Sequence, residues 1–262
     1  ALKPVWSGRL PLGKDGMATE IISYSEAEAA QYIARTGRKV IECEGVHFCE
    51  AYPGFFRPVS LHRPYNHFVR RVPGTLGHKM AVADPRVANG FVNVMVADEL
   101  TTYSIDRLSR DRRKALKRGL KKVEVRVLPD PMILLEQGGH EVDTSFHQRT
   151  GWGAVLTPEA YRARIARIGA NPAMVWFGGY VDGQLGGYIC LSVIERYGGM
   201  GTIAIHTNFL PTRINDVLLY EMCRRCQEAG CVDNLSFGMH SDKPSLNQFK
   251  ETMLFKHQAL PA

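Results

Sequence analysis

No run of eighteen or more apolar residues occurs in the 262-residue sequence, so no segment is long enough to read as a membrane-spanning helix. The opening stretch, Ala1 to Leu12, lacks the basic, apolar and small-residue order of a secretory leader, and a cytoplasmic protein with no membrane partner is expected. Cysteine is scarce. Six residues (Cys43, Cys49, Cys190, Cys223, Cys226 and Cys231) in a chain able to bury its own core exclude a disulfide-built scaffold and predict free thiols. Internal repeats, low-complexity tracts and long linkers are missing, and so are the glycine fingerprints of Rossmann and P-loop nucleotide sites. With 45% hydrophobic and 23% charged residues the chain is neither disordered nor fibrous. Its length allows one large domain or two small ones.

What is present begins with charge. The net charge is +7, and the segment from Arg110 to Lys122 carries eight basic residues against the single acid Asp111. That segment alone accounts for the whole excess, which points to one anionic surface or ligand rather than to general coating of nucleic acid. Cys223 and Cys226 have the spacing of a metal pair, with Cys231 and His240 further on, but no second pair matches them. Both fall among leucines and a methionine on the buried side of a helix from Arg213 to Ala229, so small buried hydrophobes are expected and no metal site.

Local patterns then predict an element order. A serine start, an acidic first turn and Gly37 mark a helix from Ser25 to Thr36. Strands follow at Lys39–Glu44, Val46–Tyr52 and Phe91–Ala97, with a weakly specified stretch, rich in proline, glycine and aromatics, from Pro53 to Pro85. After the basic helix come a strand at Val123–Leu128, helices at Pro131–Arg149 and Thr157–Ile168, and a hairpin, Ala173–Val181 and Gln184–Glu195, around Asp182-Gly183. A turn at Tyr197–Gly199 leads to a strand at Met200–Phe209. The helix Arg213–Ala229, a strand at Val232–Phe237, a short helix near Pro244–Glu251 and a strand at Leu254–Leu260 complete the chain.

Four passages in this order carry a family resemblance. They are Leu108-Ser109-Arg110-Asp111-Arg112-Arg113-Lys114-Ala115 through Gly119, the Asp182-Gly183 turn with Gly186 after it, the Arg213 to Gly230 helix, and Phe249-Lys250 before the last strand. Together they resemble the GNAT acyltransferases, and within them the Fem branch, peptidyltransferases that move amino acids from tRNA. The resemblance covers about residues 104 to 262. It implies an α+β fold with a mixed, mostly antiparallel sheet flanked by helices, an acyltransferase domain over residues 104–262, and a reduced companion domain over residues 1–103 on the acceptor side.

The implied reaction is amide formation, in which an acyl or aminoacyl group passes from an activated carrier to an amine of a small molecule or peptide. Such chemistry needs a neutral amine, a stabilised oxyanion and a positioned donor. The resemblance assigns Lys250 beside the developing negative charge, with Phe249 next to it. Coenzyme A would sit where Thr212-Arg213-Ile214-Asn215-Asp216-Val217 opens a helix, but the usual glycines are replaced there. Arg213 and Asn215 are the residues left to meet a donor, unless Thr212 simply caps the helix. Aminoacyl-tRNA is therefore slightly favoured over acyl-coenzyme A as donor substrate, and no permanently bound cofactor is expected. Leu108, Ala115, Leu116 and Leu120 form the buried stripe of the basic helix, and Arg112 falls on that stripe, where it must find a carboxylate or face a ligand. His206 and His240, each near the end of a strand, are candidates for proton removal, with Tyr220 and Asp242 behind them. The stretch from Phe55 to Phe68, with Arg57, His62, Arg63 and His67, lines an acceptor pocket or forms loop contacts. A competing function is a catalytically silent module that binds RNA or another anionic partner through the basic helix.

Overall fold

The computed structural model describes residues 20–262, so the reading of Ala1 to Leu12 lies outside the described residues. The first part contains β1 (Ser23–Tyr24), α1 (Glu26–Arg35), β2 (Val40–Cys43), β3 (Val46–Tyr52), β4 (Phe55–Pro58), β5 (Gly77–His78) and β6 (Phe91–Ala97). The second contains α2 (Arg110–Gly119), β7 (Glu124–Leu128), α3 (Ile133–Glu136), α4 (Gly139–Thr150), α5 (Pro158–Gly169), β8 (Met174–Val181), β9 (Gln184–Ile194) and β10 (Tyr197–Ile205). It closes with α6 (Ile214–Ala229), β11 (Asn234–Met239), α7 (Pro244–Thr252) and β12 (Lys256–Pro261). The fold is the expected α+β class: a large, mostly antiparallel sheet ordered β12-β6-β11-β10-β9-β8-β7, flanked by helices, with a small sheet ordered β2-β3-β4-β5 beside it.

Local chemistry explains most boundaries. Ser25 accepts from the Glu28 amide while the Glu28 carboxylate accepts from the Ser25 amide, a reciprocal cap that starts α1. Asp182 and Gly183 have φ of 50° and 79°, the left-handed pair that closes a two-residue hairpin between β8 and β9. Two expectations need correction. The helix read over 131–149 is two helices, because Gly138, at φ 80°, breaks the chain between α3 and α4. The turn placed at Tyr197–Gly199 lies at Glu195–Arg196, both at positive φ, and β10 already begins at Tyr197.

The amino-terminal strand β6 pairs antiparallel with both β11 and β12 and so belongs to the large sheet. A boundary at 103/104 therefore cuts through that sheet, and only β2 to β5 form a separate one. The small sheet has its own core, in which Phe48, Phe56, Tyr65, Val69, Met80 and Val82 are buried. Much of the weakly specified 53–85 stretch is thus ordered by tertiary burial. Buried Glu26 ties α1 to it, accepting from the Tyr65 hydroxyl at 2.8 Å and the His47 amide at 2.7 Å.

The main core lies between the large sheet and α2 and α6. Cys223 and Cys226 are fully buried there as small apolar groups. The stripe of α2 is Ala115, Leu116 and Gly119, whereas Leu120, expected inside, is 37% exposed at the helix end. Gly119 lets α2 press onto α6: a Cβ there would lie 2.6 Å from Val217 Cγ2 and 3.0 Å from Arg213 Cβ. Gly186 is required for a similar reason, since a Cβ would lie 2.7 Å from the Phe209 ring and 2.8 Å from Ile214 Cδ1. Among the described residues no helix is long and apolar enough to cross a membrane.

Candidate active site

The decisive feature of the large sheet is a fork. Strands β10 and β11 pair in parallel only from Tyr197↔Asn234 to Gly199↔Ser236. Beyond that rung they part, and Ile203 and Ile205 on one side and Phe237 and Met239 on the other line a cavity of about 700 Å³. The end of α4, the loop after β11 and α7 complete its walls.

Lys250 projects from α7 into this fork. It is 3% exposed, its Nζ donates to the Met239 carbonyl at 2.7 Å, and its ammonium lies 4.9 Å from the centre of the Phe237 ring. Burial pushes its pKa down to about 8. No carboxylate pairs with it among the described residues, so a carbonyl dipole and an aromatic face are its main electrostatic partners. Phe249, beside it, stands edge-on to Phe237 at 6.3 Å.

The structure brings Lys250, Phe249, His240 and Asn215 to the same cavity. His240 is exposed at its mouth, with its ring 4.6 Å from that of His257. Asp242 lines the cavity as well. Arg112 does not enter it. Its Nη1 donates to the Asp216 carboxylate at 3.0 Å, and its guanidinium lies 5.3 Å from the Phe249 ring centre, so the buried-stripe arginine has found a carboxylate and supports α7 from below. His206 lies off the cavity: its Nδ1 accepts from the Asn208 amide at 3.2 Å and its ring meets Phe209 edge-on, so it caps the turn before α6. Tyr220 instead faces Tyr103 across the helix contact.

Arg213 is exposed at the entrance to α6 with φ 68°, so an arginine makes the turn a glycine would favour. Thr212 does not cap α6, because its hydroxyl donates to the Phe209 carbonyl at 2.6 Å. The first turn of α6 already holds the buried Asp216 carboxylate, which meets the positive end of the helix dipole that a phosphate would otherwise use. On α2, Arg110, Lys114, Lys117 and Arg118 are exposed, whereas Arg113 folds back onto the Asp106 and Leu108 carbonyls.

Four further residues that the sequence reading did not single out contribute to the cleft. Phe146, Arg149 and Trp152 line it from the end of α4 and the loop beyond, and Lys243 lies 5.1 Å over the Trp152 ring while donating to the Thr150 carbonyl. A tryptophan just past the helix-stopping Gly151 was the one local hint.

Neither a protein-family model nor a curated protein sequence matches the chain. Solved structures do match in shape. The C-terminal domain of a protein described as a lysylphosphatidylglycerol synthetase from Agrobacterium fabrum superposes with a TM-score of 0.60 at 13% identity, covering 88% of this chain and 85% of that one. L-PGS from Bacillus licheniformis gives 0.56 at 11% identity over 92% of both chains. FemX gives 0.54 at 12% identity, over 64% of this chain and 60% of its own. At these identities the likeness shows a shared overall fold and nothing finer.

Proposed function

We propose that the protein is an acyltransferase that moves an acyl or aminoacyl group from an activated carrier to an amine, with the reaction in the fork between β10 and β11. The observation that carries this reading is the buried ammonium of Lys250, held against the cleft by a carbonyl and an aromatic ring with no carboxylate among the described residues to neutralise it. The shared fold with FemX and the lysylphosphatidylglycerol synthetases supports it.

In this reading the acceptor nitrogen attacks the carrier's carbonyl carbon and the carbonyl oxygen becomes an oxyanion facing Lys250. The intermediate collapses by expelling the carrier's oxygen or sulfur. A preorganised, buried cation lowers the barrier by stabilising negative charge that develops as the carbonyl is attacked. His240, at the mouth, takes the proton that the amine loses and passes it to the departing oxygen or sulfur. Arg112 and Asp216 hold Phe249 and α7 in place, and His206 has a capping role only.

For the donor, the placement of Asp216 disfavours a pyrophosphate on the amides of α6, whereas the exposed cations of α2 and Arg213 suit a phosphate-rich carrier held from outside. Aminoacyl-tRNA fits that arrangement better than acyl-coenzyme A. The acceptor is an amine-bearing small molecule or peptide. The test is incubation with charged tRNA and, separately, with acetyl-coenzyme A, following label into an added amine. Transfer from one donor that Lys250→Met lowers at least 100-fold, with donor retention unchanged, is expected. Retention of neither donor overturns the reading.

The exposed face of α2 also favours a second reading, a silent module that binds an RNA through these cations. It predicts binding that charge reversal of Lys114 and Lys117 abolishes, with no transfer from any donor and no effect of Lys250→Met.

A further inference from the structure

A second cavity, of about 570 Å³, lies between the small sheet and the large one, lined by α1, β4, α5 and the strands β8 to β10. Its charge is one-sided. Arg38, Arg57 and Arg167 line it, from the chain after α1, from β4 and from α5, against a single carboxylate, Glu50. Glu50 offsets one of the three positive charges, and its Oε1 accepts from the Gly54 amide at 2.9 Å. Arg38 donates only to the Glu50 carbonyl, at 2.7 Å. Arg57 and Arg167 have no side-chain hydrogen bond or ion pair among the described residues. Arg38 and Arg57 are half-buried and Arg167 is exposed at the rim, so three guanidinium groups border one cavity, two of them with donors free for an anion.

A second observation points the same way. His62 also lines this cavity and is 8% exposed, and its Nδ1 shares a 2.6 Å hydrogen bond with the Ser236 hydroxyl, which itself accepts from the Gly238 amide at 3.1 Å. Its other ring nitrogen, Nε2, is buried without a partner. Buried polar atoms of this kind are rare and call for an explanation. The floor is open as well, since a Cβ at Gly199 would meet nothing within 4 Å. Ser236 and Gly199 form the last paired rung before the fork, so this cavity abuts the base of the proposed transfer cleft.

We infer that this second cavity is a binding site for a phosphate-bearing small molecule, held by Arg57 and Arg167, with Arg38 and His62 beside it. A phosphate suits it better than a carboxylate. Forked guanidinium groups match phosphate oxygens two at a time, and a phosphate dianion balances the two positive charges left after Glu50, whereas one carboxylate balances half of them. The volume falls within the range of small-molecule sites. The site goes beyond the acyl-transfer reading and stands or falls separately from it.

The experiment is calorimetric titration of the full chain with pyrophosphate, glycerol 3-phosphate and succinate, together with sedimentation on phosphatidylcholine vesicles with and without an anionic phospholipid. The variants are Arg57→Met, Arg167→Met, their double, and Arg86→Met, an exposed arginine that lines neither cavity. Expected are saturable binding of a phosphate probe at one site per chain, at least tenfold tighter than succinate, and at least tenfold weakening in each single arginine variant. Arg86→Met should leave it unchanged. Weakening by the arginine variants of the soluble probes alone assigns a free phosphoester, and weakening of vesicle retention assigns a lipid headgroup. Equal affinity for succinate, or phosphate binding that survives in the double variant, overturns the inference. Thermal melts without ligand separate loss of the site from loss of the fold. Because the readout is binding, a protein that takes phosphate here yet transfers no acyl group would keep this site and lose the transfer reading, and the reverse result would do the opposite.

Discussion

Arg112 and Asp216, 104 positions apart in the chain, meet at 3.0 Å and join α2 to the first turn of α6 beneath the Phe249 ring. The contact answers what an arginine does on the buried stripe of a helix. It also places a carboxylate where the dipole of α6 would otherwise draw an anionic donor.

The Asp216 side chain is only 6% exposed, so removing one partner strands the other. Asp216→Ala is expected to cost about 3–5 kcal/mol, the usual range for breaking a buried pair. The double variant Arg112→Met with Asp216→Leu should recover most of that loss. Urea unfolding of the three proteins checks this, and a double variant as unstable as the single one would contradict it.

Lys250 sets opposite pH trends for activity and stability. Its folded pKa, about 8, lies below its ordinary 10.5, so between these values the unfolded chain binds more protons than the folded one. Stability therefore carries a penalty below about pH 8 that is relieved as pH rises toward 10.5. If the ammonium is what stabilises the oxyanion, transfer declines as pH climbs through about 8 over the same interval. Lys250→Met should remove the penalty while lowering transfer at least 100-fold. Chemical denaturation and rate profiles from pH 7 to 10 test both trends.

His62 acts at the acid end. Burial, with Arg57 and Lys250 nearby, pushes its pKa from 6.5 down to about 4, and the Ser236 hydroxyl is its hydrogen-bond partner. The neutral ring is the native form. As pH falls from about 6.5 to about 4 the unfolded chain takes up a proton that the folded one resists, and stability is lost. His62→Gln should flatten that part of the stability profile. An unchanged slope in denaturation midpoints between pH 4 and 6.5 would count against it.

Gly119 reports on the close approach of α2 to α6. Gly119→Ala places a methyl group 2.6 Å from Val217 and 3.3 Å from the Thr212 carbonyl oxygen. The backbone oxygen and Arg213 Cβ cannot swing aside as a flexible chain end can. A loss of about 1–2 kcal/mol is expected despite alanine's better helix propensity. A thermal melt showing a stabilised variant would refute the contact.

Much of the fold was legible because its signals are local. Ser25 with Glu28, Asp182-Gly183 and the alternation of Phe91–Ala97 each specify backbone geometry within a few residues, and the corresponding elements stand where they were expected. The Gly138-Gly139 pair carried an equally local break that an unbroken helix over 131–149 overlooks. In the cleft, Phe249-Lys250 was conspicuous through its resemblance to a known family, and His240 through its place after a strand. Arg149 and Trp152 were not, because they reach the cavity only once α4 is laid beside the fork.

By itself the sequence determined most of the element order, the hairpin at Asp182-Gly183 and the concentration of positive charge on one helix, since periodicity, caps and turn residues act over a handful of neighbours, while the mostly antiparallel sheet was implied by the family resemblance. Only the tertiary structure decided that β6 crosses into the large sheet, that β10 and β11 part after Gly199 and Ser236, and that three arginines from separate elements face one cavity. Those outcomes depend on strand pairing and burial between distant segments, which no local pattern encodes.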